Sequence, residues 1–109
     1  MTVEAFVKAI GFKVVCLPDP EKEIDGVYIG DLLSWVMGNA NPGNVWITIM
    51  SNINIAAVAT LTDASCILLA EGVSPDPDAL AAAEAKGINI LSTPLSAYEA
   101  AVAVSQLIK

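Results

Sequence analysis

From Val27 to the end, the chain alternates short apolar runs with segments of helical spacing, and this alternation narrows the choice of fold more than any other feature. Val27–Ile29, Val45–Met50, Ser65–Ala70 and Ile88–Leu91 read as strands, and a segment with helical spacing follows each of them. The two middle runs are apolar at nearly every position, as expected of strands covered on both faces. Strands that alternate strictly with helices pair in parallel, because the crossover helix returns the chain to the start of the next strand. The expectation is an α/β fold with a mainly parallel sheet of about five strands and helices on both faces. Residues 1–109 are expected to form one domain.

Local signals place the ends of these elements. Thr2 can cap a first helix in which Val3, Phe6, Val7 and Ile10 share a face, Glu4 and Lys8 pair on the outside, and Gly11 closes the last turn. Phe12–Leu17 reads as a buried strand and Pro18–Glu23 as a loop, since two prolines prevent regular pairing. Gly30-Asp31 is expected to open a helix through Met37 with Leu32, Trp35 and Val36 on one face. Ser51-Asn52 begins another, ending near Asp63. Asp76 and Pro77 start an alanine-rich helix that stops at Gly87. Thr93-Pro94 or Ser96 caps the last helix, where Ser96 and Glu99 have capping-box spacing. Ala97, Ala100, Ala101, Val104, Leu107 and Ile108 form its inner stripe.

Composition excludes several classes of function. Hydrophobic residues make up 55% and charged residues 16%, and mean hydropathy is +0.63, so the chain is not a disordered tail. A net charge of −7 leaves no basic face for nucleic acid or an anionic membrane. The absence of histidine removes most acid–base pairs and zinc sites. Cys16 and Cys66 lack a Cys-x-x-Cys partner and read as small core hydrophobes. The acidic run Asp19, Glu21, Glu23 and Asp25 does not have the spacing of a calcium loop. Neither a dinucleotide fingerprint nor a phosphate loop is present, which argues against kinase or NTPase chemistry. No apolar run reaches the roughly 18 residues of a membrane span. The first residues, Met1–Gly11, lack a basic leader, so a cytoplasmic location is expected. No metal, cofactor or catalytic residue is expected.

Open parallel sheets bind ligands beyond the carboxyl ends of their strands. Gly30, Asp31, Ser51, Asn52, Glu71, Gly72, Ser92 and Thr93 should converge there. Three of these pairs are expected to lead straight into helix N-termini, which favour a small phosphate-bearing, carboxylate or nucleotide ligand. Taken singly, Asp, Ser, Asn and Thr are ordinary caps, and Asp31 is a better cap than general base. The helix from Asn52 to Thr62 is apolar around most of its circumference. A second copy covering one side would explain that, so a homodimer is expected.

Val27-Tyr28-Ile29-Gly30-Asp31-Leu32-Leu33-Ser34 is the most distinctive block. Together with Val45–Thr48, Ile67–Gly72 and Gly87–Thr93 it resembles the DRTGG domain family, in order from about Val14 to the end. The resemblance implies a fold like the N-terminal domain of HPr kinase/phosphorylase. It also implies a regulatory or ligand-binding role without catalysis, often beside CBS domains or phosphotransacetylase-type enzymes. For a stand-alone member it implies, as the alternative, a ligand-free interaction subunit whose protein partner belongs to a hydrogenase or ferredoxin-type redox system. Many members carry a Gly-Asp-Arg-Thr-Asp-like stretch where this chain has Met50-Ser51-Asn52-Ile53-Asn54. The charged side chains are gone, leaving backbone N–H groups, Ser51 and Asn52 to hold something neutral or weakly anionic.

Overall fold

The computed structural model describes residues 1–108. Its strands are β1 (Lys13–Cys16), β2 (Val27–Ile29), β3 (Val45–Thr48), β4 (Cys66–Leu69) and β5 (Ile90–Ser92). The helices are α1 (Val3–Ile10), α2 (Leu33–Asn39), α3 (Asn54–Thr62), α4 (Pro77–Lys86) and α5 (Ala97–Leu107). The strands form one sheet in the order β1-β5-β4-β3-β2. β2 to β5 are parallel, and β1 joins β5 antiparallel.

Connectivity decides which helices share a layer. From β2 to β5 each step moves one strand across the sheet in the same direction. Right-handed crossovers therefore lay α2, α3 and α4 on the same face. The opposite face is covered by α1 and α5. Side chains alternate between the two cores with the strand period of two. Trp46, Ile67, Leu69 and Ile90 meet Val36, Ile55, Ala59 and Ala83 under the three-helix layer. Val45, Ile47, Cys66, Leu68 and Leu91 meet Val3, Phe6, Ala100 and Val104 under the two-helix layer.

The caps at the two ends of the chain form as their sequences require. Thr2 Oγ1 accepts the Ala5 N–H at 3.1 Å, and Ser96 and Glu99 make a reciprocal capping box. The Pro18–Glu23 segment is more than a solvated loop. Its Pro20 and Lys22 carbonyls accept the Glu4 and Val3 N–H groups at 2.9 Å each, satisfying two first-turn donors of α1. Lys22 also forms an ion pair with Asp63.

Two expectations are corrected. Phe12–Leu17 is not a buried strand: Lys13 and Val14 are exposed and Cys16 alone within β1 is buried. An edge strand has a neighbour on one side only, and an irregularity between Val14 and Cys16 breaks its register with β5. In α2, Val36 is buried but Leu32 and Trp35 are 66% and 64% exposed. Leu32 is extended, with φ −80° and ψ 106°, so it does not share the inner face that a helical residue four positions before Val36 would occupy. Trp35, one residue from Val36, points about 100° away around the helix.

Candidate functional site

Adjacent strands β4 and β5 send their following segments to opposite faces of the sheet. The chain leaving β4 crosses to α4, and the chain leaving β5 crosses to α5. This divergence is where α/β sheets open a crevice. Glu71 and Gly72 take left-handed φ values of 59° and 71°, which turns the first loop back against the second. Their N–H groups donate to Leu95 O at 2.8 Å and Thr93 O at 2.9 Å. The two loops are thus held edge to edge.

Beside this seam lies a cavity of about 290 Å³, lined by Gly11, Lys13, Gly72, Ser74, Ser92 and Thr93 among others. It brings together Gly72, Ser92 and Thr93 from the sequence-derived set. Lys13 arrives from β1, directly opposite Ser92 in the antiparallel ladder. Sequence reasoning passed over Lys13 because Phe12–Leu17 read as buried. The available signal was a lysine in a chain with five basic residues against twelve acidic ones. Lys8 and Lys22 are committed to Glu4 and Asp63, whereas Lys13 has no carboxylate partner among the described residues.

The remaining residues of the set lie elsewhere along the carboxyl edge. Asp31 is not a helix cap. Its Oδ1 accepts from Thr48 Oγ1 at 2.8 Å and from Ile49 N at 3.1 Å, clamping the end of β2 to the end of β3. Gly30 O accepts the Trp46 Nε1–H at 2.9 Å, and a Cβ on Gly30 would stand 3.0 Å from Tyr28 Cε2. Asn52 Oδ1 accepts the Asn54 N–H at 2.9 Å, and Ser51 O accepts the Asp76 N–H at 2.9 Å.

The expectation that three pairs run straight into helix N-termini is corrected. Leu32 and Ile53 intervene before α2 and α3, and α5 starts only after the Ser96 cap. The physical case for an anion therefore rests on Lys13 rather than on converging helix dipoles. A larger cavity of about 410 Å³ involves Met1, Ile24, Asp25, Val27, Ser105 and Leu107. It lies at the amino end of β2, away from the crevice. Among the described residues its charged groups are Asp25 and an N-terminal amine already paired with Glu23.

The thiols are placed for packing. Burial pushes the Cys66 thiol up to about 12. Burial also raises Cys16, whose Sγ donates to Ile88 O at 3.3 Å. Cys66 should resist iodoacetamide at pH 8 in the folded protein and react once urea unfolds it. The folded state holds this proton more tightly than the unfolded chain. Stability is therefore fully present below the ordinary thiol value of 9.0 and falls as pH rises toward about 12. Urea titrations at pH 8 and pH 10 would show the decline, and Cys66→Ala should flatten part of it.

Comparison with known proteins adds three findings. The family model described as the DRTGG domain matches residues 6–107. A solved structure of the CBS and DRTGG domains of the regulatory region of Clostridium perfringens pyrophosphatase, complexed with its activator diadenosine tetraphosphate, is similar with a TM-score of 0.71 and 12% identity. The similarity covers 98% of this chain and 47% of that one, so this chain spans about half of that length. At this identity the likeness is one of fold. No curated protein sequence matches.

Proposed function

The chain belongs to the DRTGG domain family, and from that premise we propose that it is a non-catalytic regulatory domain that holds a small phosphate-bearing ligand, a nucleotide first of all. In this reading residues 1–109 are one cytoplasmic domain that works as a homodimer. The observation that carries the ligand is the cavity beside the β4–β5 seam, where Lys13 from the β1 side meets Gly72, Ser74, Ser92 and Thr93. A phosphate needs a cation and short polar donors, and this cavity supplies both in an otherwise acidic chain. Its volume of about 290 Å³ is near the lower bound for small-molecule sites. It suits a phosphate chain or one nucleoside phosphate better than a whole dinucleotide. Gly30, Asp31, Ser51, Asn52 and Glu71 shape the same edge. The similar regulatory region's complex with diadenosine tetraphosphate supports testing adenine nucleotides before other anions. No helix among the described residues is long and apolar enough to cross a membrane.

A thermal-shift series with ATP, ADP, diadenosine tetraphosphate, acetyl phosphate and coenzyme A tests this reading. A ligand at about ten times its Kd adds about 1.4 kcal/mol, which raises Tm by roughly 5–10 °C in a domain of this size. Lys13→Gln should remove that rise and leave the unliganded Tm nearly unchanged, because Lys13 is exposed. No rise with any of the five compounds would favour the ligand-free interaction subunit. Turnover of a bound nucleotide by the purified chain would contradict the non-catalytic assignment.

A further inference from the structure

No charged residue lies between Asp31 and Asp63, and both α2 and α3 come from that stretch. They pack beside each other in the three-helix layer. Their outward surface is uncharged and carries large apolar side chains among a few neutral polar ones: Leu32, Trp35, Ile53 and Leu61 are 66%, 64%, 47% and 74% exposed, and Ser34, Asn39, Asn54 and Thr60 are exposed beside them. Ile53, which caps α3, and Ala57 and Leu61 within it recur at four-residue spacing. The other helices differ, with Glu4 and Lys8 on α1, Asp78, Glu84 and Lys86 on α4, and Glu99 on α5.

We propose that a second copy of this chain docks on the α2–α3 face through a twofold axis, α2 and α3 of one protomer against α2 and α3 of its partner. The proposal rests on the homodimer in the reading above and gives that dimer a surface. Charge selects the occupant. In a twofold contact the same patch faces itself. On a chain of net charge −7, most self-contacts would set carboxylate against carboxylate. The α2–α3 face is free of that repulsion because it carries no charge. Area agrees: the four side chains expose apolar surface on the order of 500 Å², at the upper end of what a monomer leaves uncovered. Doubling that patch across the axis reaches the roughly 1,000 Å² that a specific interface needs. Trp35 is the natural anchor, since tryptophan is enriched among residues that dominate binding.

Sedimentation equilibrium on the wild type, Trp35→Glu, Leu61→Glu and Tyr98→Glu tests the surface. The wild type should have twice the 11.3 kDa chain mass at micromolar concentration. Trp35→Glu and Leu61→Glu should each weaken association roughly thirtyfold or more, while far-UV circular dichroism and cooperative unfolding show an intact fold. Tyr98→Glu, on the opposite face and 77% exposed, should leave the dimer unchanged. A wild-type dimer that both α2–α3 variants preserve would overturn the surface and leave the homodimer standing. A wild type of single-chain mass would overturn both, whether the face is bare or meets a different protein.

Discussion

Replacing Trp46 with alanine should remove about 3–5 kcal/mol of stability, a large part of the 5–15 kcal/mol that holds most domains folded. Trp46 is fully buried on the three-helix side of β3, and it has the largest of the fully buried side chains. Its ring belongs to the cluster that includes Val36, Ile55 and Ile67, and Ile67 stands directly beside it on β4, so truncation opens a cavity inside that core. Its Nε1–H also satisfies Gly30 O at 2.9 Å. Trp46→Phe separates the two contributions. It keeps most of the apolar volume but leaves that carbonyl without its donor, and should cost about 1–3 kcal/mol. Urea unfolding followed by circular dichroism is the measurement. Trp46→Ala should move the midpoint sharply downward or abolish the cooperative transition. A loss below about 1 kcal/mol would mean that the ring is not packed as described, since buried large-to-small changes cost more than that.

The same residue shows why the centre of the sheet could be read in advance. Val45–Met50 and Ser65–Ala70 are apolar at consecutive positions because β3 and β4 are covered on both faces, and every residue of both strands is buried. Helix ends were legible for a related reason. Thr2, Pro77 and the Ser96–Glu99 pair act on backbone groups within four residues of themselves, so their role is written locally.

Position within the sheet is not local, and there the sequence was less informative. Phe12–Leu17 has the composition of a buried strand, yet β1 sits at an edge with Lys13 and Val14 exposed. Nothing near Lys13 reveals that it will stand opposite Ser92, and that pairing is what brings a cation to the cavity. Asp31 shows a second kind of competition. An aspartate before an apolar helical pattern has the chemistry of a cap, but the extended backbone of Leu32 turns its carboxylate to Thr48 and Ile49 instead. Thr48 held the usable clue: a hydroxyl in an otherwise apolar buried strand must find a partner. The charge-free stretch from Leu32 to Thr62 was legible too. The apolar girth of α3 drew the expectation of a dimer, while the share carried by α2 depends on the outward turn of Leu32 and Trp35 and needed the fold.

Asn89→Ala should cost about 2–3 kcal/mol, because it leaves buried backbone groups unpaired rather than removing packing. Asn89 is 1% exposed. Its Nδ2 donates to Asp19 O at 2.7 Å and to Ser65 O at 3.0 Å, and its Oδ1 accepts the Asp19 N–H at 2.9 Å. Water can replace the bonds to Asp19, which lies nearer the surface, but Ser65 is 1% exposed and its carbonyl would lose this donor inside the protein. The effect should also travel along the chain. Asn89 anchors the segment whose Pro20 and Lys22 carbonyls cap α1, so hydrogen exchange at Val3 and Glu4 should quicken more than exchange at β3 and β4. Asn89→Asp gives a signed test of the same arrangement. An ionised carboxylate there would face two carbonyl oxygens in a buried site, which raises its folded pKa above the ordinary value near 4. That variant should lie closest to wild type below about pH 4 and lose stability progressively as pH rises toward 7. A deficit that is constant across this range would mean that the side chain is solvated and that the Pro18–Glu23 segment is held by something other than Asn89.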